Sequence, residues 1–392
     1  MTPPPLTRID ALDSWNAFLP RVKDYATRRN QLEARNGNVS RLSPALRHRL
    51  LTEDEVIRAT LDEYGFAPAE KWLQEVCWRR YWKGWLEMRP QVWKSWRQRV
   101  RQLRETLPRE VLEKADTVAT GESGVACMDI LARELVETGY LHNHARMWWA
   151  SFWIHAERLQ WEVGADFFFR HLLDADPASN TLSWRWVAGL QTPGKTYLVR
   201  LANLEQYAHA GLLRDRRGND RIADGAVKPS LQQDHADTSR RPLPDFSTSL
   251  PARTGRTGLW LHAEDLAPEI GPLAEFAPDT VAAFTSERTC HEHYRLGENR
   301  IHALRTVLAD GIARAAARYR CPATLTDADD TATSIGAWAR SQQLMEVVAF
   351  APTVGPVRDI VPRLSSQLAE LGIRLTFIQR ASDTHAFALA CS

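Results

Sequence analysis

Asp174, Asp176, Asn180, Trp184 and Trp186 lie within one short stretch, Asp-Ala-Asp-Pro-Ala-Ser-Asn-Thr-Leu-Ser-Trp-Arg-Trp. No single helix or strand period accounts for all five of these side chains. The Asp-Ala-Asp-Pro sequence ends the preceding amphipathic run, because proline disfavours a helical residue before it and cannot donate to a helix. We therefore expect these polar groups to lie on irregular backbone, where binding sites concentrate.

Tryptophan is the unusual residue of this chain. Of its 15 tryptophans, 12 lie between Trp72 and Trp186. Indoles can simply fill a helical core and its grooves, and this interpretation is adequate for any single one of them. The density of the whole set favours a further use, since an indole also offers a π face for stacking bases or flavins and an accessible redox state.

The overall composition is that of a globular protein with two or three domains. The net charge of +2 hides an asymmetry, because residues 1–240 have 35 Lys and Arg against 31 Asp and Glu, and residues 241–392 have 15 against 17. The mildly basic first part is compatible with an anionic partner but does not require one.

Five scattered cysteines without a Cys-x-x-Cys pair suggest neither a zinc site nor a disulfide framework, and we expect no bound metal. We expect a reducing, cytoplasmic location. The N-terminal residues have no apolar signal region, and no run is long enough to span a bilayer, so a secreted or membrane protein is not expected.

Helical patterns dominate residues 1–210. Apolar residues recur at helical spacing between residues 10 and 35, and Thr52 to Glu55 has the form of a capping box. Further helices are predicted within residues 72–96, 124–141 and 166–173. No strand alternation persists in this region, so we expect it to be almost entirely helical.

Two local features could take part in binding. Ser43 before Pro44 is typical of a helix start, and the free N–H groups there, together with Ser40 and Ser43, could either cap the helix or bind a phosphate. Glu75, Trp78, Arg79 and Trp82 share one helical face, which is either a solvated surface or the wall of a site. The basic run of Arg97, Arg99, Arg101 and Arg104 is more typical of a solvated helix surface than of a nucleic-acid contact.

Several of these segments, in order, resemble the motifs of one family. They are Ser40 to Ser43, Trp72 to Arg79, Gly121 to Asp129, His142 to Met147, and Asp174 to Trp186. On these motifs, residues 25–207 resemble the helical FAD-binding domain of the DNA photolyase and cryptochrome family.

The resemblance implies that this domain binds FAD. The implied cofactor-binding residues are Tyr25, Ser40, Arg41, Leu42, Ser43, Trp72, Asn143, Arg146, Asp174, Ala175, Asp176 and Asn180. Tyr25, Ser40, Leu42 and Ser43 match positions that hold the diphosphate, and Asp174 with Arg146 would form an ion pair against the flavin ring. Asp176 would accept a hydrogen bond from a hydroxyl of the cofactor, and Asn180 would face flavin N5.

The resemblance also implies a function. DNA or lesion contacts would come from Arg29, Glu75, Trp78, Arg79, Asn143, His144, Met147 and Trp186, and the implied catalytic residues are Glu75, Asn180, Trp161 and Trp184. Trp184 and Trp161 match the first two residues of an electron-transfer chain. The expected activity is blue-light-driven repair of cyclobutane pyrimidine dimers in DNA. The alternatives are a photoreceptor that signals to a protein partner and a degenerate flavin-binding relative.

Some positions depart from the family pattern. Val39 replaces a threonine of the phosphate loop, Arg49 stands where the family usually has glycine, and Arg80 replaces an acidic residue. The third tryptophan of the electron chain cannot be assigned from the sequence, although Trp93 and Trp96 are candidates. These departures affect flavin photoreduction and DNA binding more than flavin binding.

After a linker at residues 214–255, the pattern changes to strands alternating with helices, which predicts a parallel, doubly wound α/β domain of Rossmann-like type at residues 256–392. The predicted strands are residues 258–262, 281–285, 323–326, 347–350 and 375–378, and the predicted helices are residues 300–319, 331–340 and 357–371. The helical domain is then residues 1–213.

This domain is similar in places to the family's antenna domain, which usually precedes the helical domain. Leu259 to Leu266 resembles its first strand, and residues 347–377 resemble its last strand-helix-strand unit. We interpret it as an antenna-like domain moved to the C-terminus, with an unrelated Rossmann-like domain as the alternative. No Gly-x-Gly-x-x-Gly loop is present. An antenna chromophore is a further expectation, and the sequence does not identify it.

Overall fold

The structure is a computed structural model that describes residues 3–34, 37–192, 195–250, 252–253 and 255–390. Up to residue 213 the described residues form helices joined by short connections. These helices are α1 Arg8–Phe18, α2 Tyr25–Arg28, α3 Ser43–Arg47, α4 Glu53–Tyr64, α5 Glu70–Glu87, α6 Pro90–Thr106, α7 Arg109–Ala119, α8 Ala126–Thr138, α9 Asn143–Ser151, α10 Trp161–His171, α11 Pro177–Val187 and α12 Leu201–Tyr207. We call this part the helical domain.

The second part, which we call the α/β domain, alternates strands with helices. Its elements are β1 Thr257–Leu261, β2 Thr280–Thr285, α13 Glu287–Glu292, α14 Glu298–Tyr319, β3 Ala323–Asp327, α15 Thr331–Ser341, β4 Glu346–Phe350, α16 Pro356–Asp359, α17 Val361–Glu370, β5 Arg374–Ile378 and α18 Ala381–Leu389. All five strands are parallel, in the order β3-β2-β1-β4-β5. The predicted doubly wound sheet is therefore confirmed, and each strand lies within one residue of its predicted position.

The two faces of the sheet pack against different partners. Trp260 lies in a cluster with α15 and α17. Its neighbours Leu259 and Leu261 point to the other face, because side chains alternate along a strand, and they share a core with α14 and with Leu50 and Leu51 of the helical domain. The two domains are therefore joined by one continuous apolar core.

Charged residues reinforce the contact between the domains. Arg49 donates to Asp265, which follows β1, over 2.8 Å, and to Asp383 of α18 over 2.7 Å. Arg80 reaches Asp383 at 3.1 Å. Arg49 has a φ of 53°, a left-handed conformation that favours glycine. Arg49 and Arg80, two of the departures from the family pattern, thus bind the α/β domain.

The linker crosses the helical domain without a strand or an α-helix of its own among its described residues. Arg185 of α11 holds it by donating to both carboxylate oxygens of Asp234. Further along, the N–H of Arg241 donates to the carbonyl of Met88, and the ring of Phe246 contacts Phe377 of β5. The linker is thus fixed to both domains.

Two local predictions need correction. The helix predicted for residues 10–35 is divided into α1, a 3-10 turn at Leu19–Asp24, and α2, because Pro20 cannot continue the hydrogen bonding of α1. The irregular backbone predicted for the Asp174 to Trp186 stretch ends at Asp176, since α11 begins at Pro177. The proline that ends one helix occupies the favoured first position of the next.

Candidate functional site

A cavity of about 760 Å³ opens among α2, α3, α5, α9 and α11. It collects residues that lie far apart in the sequence. The sequence-predicted site residues that line it are Tyr25, Arg29, Ser40, Arg41, Leu42, Ser43, Trp72, Glu75, Trp78, Arg79, Asn143, His144, Arg146, Met147, Asp174, Ala175, Asn180, Trp184 and Trp186. Of the predicted set, Asp176 and Trp161 do not line it.

Asp174 is a buried carboxylate at the wall of this cavity. Nη1 of Arg146 donates to its Oδ2 over 3.0 Å, and Arg79 lies 3.6 Å from the same oxygen. Burial alone would raise the pKa of Asp174, but Arg146, Arg79 and the hydroxyl of Ser43 outweigh it and hold the pKa below its usual value. Asp174 therefore stays ionised at neutral pH.

Asp176 is fully buried and has two structural contacts. It caps the N-terminus of α11 by accepting from the N–H of Ser179 over 2.9 Å, and it forms an ion pair with Arg79. Burial would raise its pKa, but Arg79 and then Lys83 lower it. Arg79, predicted as a DNA or lesion contact, thus points its guanidinium towards the two aspartates.

The carbonyl of Ala175, between these aspartates, is held from the other domain. Nη2 of Arg300 in α14 donates to it over 3.1 Å, and Nε of Arg47 lies 3.5 Å from the same oxygen. Arg300 is 6% exposed and its guanidinium lies over the ring of Phe169 at 4.2 Å. Burial and then repulsion from Arg47 lower its pKa to about 9. The α/β domain therefore contributes directly to the wall behind the cavity.

The start of α3 provides hydroxyls and a cation on another wall. Ser40 Oγ accepts from the N–H of Leu42 over 3.4 Å, and the hydroxyl of Ser43 helps to lower the pKa of Asp174. The guanidinium of Arg41 stacks over the ring of Tyr140 at 4.7 Å. Arg41 has a φ of 55°, so its backbone turns sharply as the chain enters α3. These groups belong to the segment, residues 40–43, that the sequence predicted to bind a phosphate.

Helix α11 positions Asn180 and Trp184, which are one helical turn apart on the same face. Nδ2 of Asn180 donates to the carbonyl of Ala165 over 2.9 Å. This bond fixes the orientation of the amide, so that its oxygen is the atom left to accept a hydrogen bond from a ligand.

Trp184 is 2% exposed and is surrounded by other aromatic rings. Its ring centroid is 5.1 Å from that of Phe168 and 6.3 Å from that of Trp149, and Trp149 is 5.2 Å from Trp153. Trp161 is also buried, but among the described side chains it has no ring-to-ring contact of this kind. Its role as the second electron carrier remains a prediction.

The mouth of the cavity has both charge and aromatic surface. Glu75 forms an ion pair with Arg29 and lies 3.1 Å from Lys71. Trp78, 44% exposed, stacks against Trp82 with a centroid distance of 5.5 Å. An exposed indole beside a carboxylate at a cavity entrance is suited to recognising a flat, polar ligand.

The dimensions and polar groups of the cavity fit FAD. Its volume lies within the usual range for cofactor sites, about 300–1,000 Å³. Oδ1 of Asp174 is buried and has no hydrogen-bond partner among the described residues, as expected for an acceptor that faces a ligand. Arginines, serine hydroxyls and a helix start are donors that suit a diphosphate.

Sequence reasoning missed several lining residues. Tyr140 lies beneath the guanidinium groups of Arg41 and Arg146, and His142 and Phe168 also line the cavity. His142 is the first residue of the recognised motif His142 to Met147 but was given no role, and Trp82 lies on the face already identified through Glu75. Tyr140, which lies between α8 and α9, and Phe168 of α10 gave no signal, since a buried aromatic residue is ordinarily a core residue.

The described residues contain no group of three or more His, Cys, Asp or Glu side chains placed to hold a metal ion. Within the same residues, none of the helices combines the length and apolar character needed to cross a membrane.

Comparison with known proteins finds similarity for part of the helical domain. Residues 72–210 match the family model for the FAD binding domain of DNA photolyase. The deoxyribodipyrimidine photo-lyase of Vibrio cholerae is 30% identical over 45% of this chain and 38% of its own length. The corresponding protein of Thermus thermophilus is 32% identical over 48% of this chain and 44% of its own length. This chain thus spans less than half of these curated relatives.

A similar region occurs in a solved structure, the bacterial class III photolyase from Agrobacterium tumefaciens. It is 26% identical, with a TM-score of 0.44, over 51% of this chain and 42% of that chain. The family match includes the lining residues from Trp72 in α5 to Val187 in α11, whereas those from Tyr25 to Glu53 lie before it. Over residues 72–210, the helical domain is thus similar to the FAD binding domain of DNA photolyase.

Proposed function

We propose that this protein binds FAD in the cavity and uses blue light to repair cyclobutane pyrimidine dimers in DNA. The observation that supports this most is that one cavity joins two sets of groups. The inner set, with Asp174, Arg146 and Asn180, suits a flavin. The outer set, with Glu75 and Trp78, suits a flat polar substrate.

When bound, FAD supplies a light-absorbing redox group that can exchange an electron with a pyrimidine dimer. The chain's own residues prepare the site for it. Asp174 and Arg146 place a fixed dipole at one wall, and the amide oxygen of Asn180 accepts a hydrogen bond without adding a charge. Buried aromatic side chains such as Phe168 and Trp184 exclude water from the inner part of the cavity.

The substrate must leave the duplex to reach such a cavity, and enzymes that act on bases commonly flip them out. Trp78 and Trp186 line the cavity and offer aromatic surface for the extruded bases. The carboxylate of Glu75 can accept a hydrogen bond from a pyrimidine N–H. Since Glu75 is held by Arg29, we expect substrate to share or displace that ion pair.

The test is repair of a dimer-containing oligonucleotide under blue light by the FAD-loaded, pre-reduced protein. Glu75→Gln and Trp78→Ala should lower the repair rate by about tenfold or more, since each removes a contact to substrate. Glu70→Gln, on an exposed position of the same helix, is the matched control and should repair normally. Absence of repair by the wild-type protein, with its flavin bound and reduced, would refute the proposal.

A photoreceptor without repair activity is the second candidate function. Two observations favour it: the Arg29 ion pair occupies Glu75, and Arg300 connects the wall of the cavity to the α/β domain. This candidate requires that light alter the protein when no DNA is present. A light-dependent change in protease cleavage within the linker, together with absence of repair, would support it over the lyase.

We also propose that the α/β domain is the antenna-like domain in a changed position. Its strand order is that of a doubly wound nucleotide-binding fold, whose usual ligand crevice lies where β1 and β4 meet. Here that crevice is filled by the helical domain, since Glu264 pairs with Arg47 and Lys83 and also accepts from Thr353. An antenna chromophore remains a prediction, and this crevice gives it no support.

A further inference from the structure

A second cavity, of about 820 Å³, has no lining residue in common with the 760 Å³ cavity proposed to bind FAD, which we call the flavin cavity. It lies between α7, α8 and α10 of the helical domain and the loop that precedes α14 of the α/β domain. Its wall combines two kinds of side chain. One part is apolar and includes Trp153, Val163 and Phe167, and the other part is charged.

Cations outnumber anions in the charged part. Four arginines line it, Arg104, Arg133, Arg170 and Arg295, against two acidic residues, Asp116 and Glu137. Such an excess within one small cavity is electrostatically unfavourable unless an anion is close by. The net charge of the cavity is therefore suited to an anionic ligand.

Arg170 and Arg295 are the arginines that are available to a ligand. Arg104 already donates to Asp166 over 2.7 Å, and Arg133 donates to the carbonyl of Gly121. Neither Arg170 nor Arg295 forms an ion pair with a carboxylate of the described residues, and Nη2 of Arg170 has one long contact, 3.5 Å, to Nε2 of His171. The Nε of Arg170 is buried without a hydrogen-bond partner among the same residues.

The electrostatics of Arg170 agree with an unsatisfied cation. Burial lowers its pKa, and repulsion from Arg104 and Arg295 lowers it further against the attraction of Asp166. An anion bound between these arginines would offset their repulsion and raise the pKa of Arg170. Because guanidinium groups bind carboxylates, sulfonates and phosphates through paired N–H donors, all three anion classes suit the site.

The apolar wall indicates the body of the ligand. Phe167 and Trp153 lie 5.1 and 5.2 Å from Trp149, whose ring also contacts Trp184 of the flavin cavity. Trp149 therefore contacts rings that line both cavities. Cavities of this volume with an apolar wall and a few polar groups usually bind small organic molecules.

We propose that the second cavity binds a small organic anion with an aromatic body, its anionic group against Arg170 and Arg295 and its ring against the wall of Trp153 and Phe167. This site is independent of the proposed repair activity. It needs neither light nor DNA, and a failure of repair would leave it unaffected.

The test uses the FAD-saturated protein, so that the flavin cavity is occupied, and 8-anilinonaphthalene-1-sulfonate as a fluorescent probe. Saturable binding of one equivalent is expected. Arg170→Gln and Arg295→Gln should each weaken it by about tenfold, the effect of losing one charge-assisted contact. Arg295 lies on the surface, so its substitution does not threaten folding. Arg109→Gln, on an arginine whose side chain is 91% exposed outside the cavity, is the control and should leave affinity unchanged.

Two further probes test the two parts of the ligand. The uncharged analogue N-phenyl-1-naphthylamine should bind at least tenfold more weakly than the sulfonate, and inorganic phosphate should displace the dye only at a far higher concentration. Equal affinity for the charged and uncharged dyes, or no effect of either arginine substitution, would overturn the proposal. Displacement by phosphate at the dye's own concentration would show a plain anion site and would also contradict it.

Discussion

Arg300 of the α/β domain donates to the carbonyl of Ala175, which lies between the two aspartates of the flavin cavity, over 3.1 Å. The two residues are 125 positions apart in the sequence. The bond means that the backbone conformation of the cofactor segment depends on how the second domain is docked. We therefore expect cofactor binding in this cavity to depend on the docking of the α/β domain.

Replacing Arg300 tests this coupling. We expect Arg300→Met to weaken FAD binding by about tenfold, because the Ala175 carbonyl loses a charge-assisted hydrogen bond worth about 1.5–3 kcal/mol. The free energy of unfolding should change less, since the substitution also removes a buried cation with a lowered pKa. Fluorescence titration with FAD and urea denaturation measure the two quantities.

Arg305→Met is the control for that experiment, because Arg305 lies on the same helix with its side chain 58% exposed. Unchanged FAD affinity in Arg300→Met would show that Arg47 alone suffices to hold the Ala175 carbonyl. The coupling between the domains would then not pass through Arg300.

A second prediction concerns Arg49. Its φ of 53° favours glycine, so Arg49→Gly relieves about 1 kcal/mol of backbone strain. The same change leaves Asp265 and Asp383 with fewer cationic partners in a buried contact, at a cost of about 3 kcal/mol. We therefore expect Arg49→Gly to lower the free energy of unfolding by about 2 kcal/mol, measured by urea denaturation.

Arg320→Gly separates the two contributions. Arg320 has a nearly identical φ of 52° at the end of α14, but it is exposed and forms no ion pair with the described residues. Its replacement should leave stability unchanged or raise it by up to about 1 kcal/mol. If Arg49→Gly behaved in the same way, the ion pairs between the domains would make no net contribution to stability.

A third prediction follows from a buried histidine at the domain contact. Nδ1 of His48 lies 2.6 Å from the carbonyl oxygen of Ala263, and burial followed by repulsion from Arg47 lowers its pKa to about 3. In the unfolded chain the pKa returns to about 6.5. The unfolded state then binds more protons between these values, so the contribution of His48 to stability falls as the pH drops from about 6.5 towards 3.

His48→Gln should reduce this dependence on pH. We expect the free energy of unfolding, measured by urea denaturation at several pH values, to fall less steeply below about pH 6.5 in the variant than in the wild type. His385→Gln, at an exposed position, is the control. If stability fell equally steeply in wild type and variant, the pKa of His48 would not differ between the folded and the unfolded protein.

The sequence predicted the elements of this fold well where short-range patterns determine them. The strands at Leu259, Val347 and Leu375 are apolar runs bounded by turns, and their positions agree with the structure. Most of the predicted site residues line one cavity, because ordered motifs constrain residue type and spacing together. The sequence did not identify Tyr140 and Phe168 as lining residues, because no local sequence pattern distinguishes them from aromatic residues of the core.

Contacts between the domains could not be predicted in this way. Arg49 and Arg80, which depart from the family pattern, both bind Asp383, more than 300 residues further along the chain. Arg79 shared a helical face with Glu75 and Trp78, but buried aspartates attract its guanidinium inward. Long-range ion pairs depend on the packing of whole domains, which no sequence period reveals.

The last prediction concerns Gly164, in the second turn of α10. A Cβ at this position would lie 2.4 Å from Cη2 of Trp184 and 2.8 Å from Nε1 of Trp153. Both indoles are buried and contact Trp149, so neither can move aside without disturbing these ring contacts. Gly164→Ala should therefore destabilise the protein by about 1–3 kcal/mol, the usual cost of overpacking, although alanine is ordinarily better than glycine in a helix.

Gly336→Ala is the matched control, because Gly336 also lies inside a helix and a Cβ there would meet only the side chain of Leu371, at 3.9 Å. This variant should gain up to about 1 kcal/mol from the higher helix propensity of alanine. The near-ultraviolet circular dichroism of the tryptophans should change in Gly164→Ala but not in Gly336→Ala. Equal stabilisation of both variants would mean that Trp184 has room to move. The contact between Trp184 and its aromatic neighbours would then not be rigid.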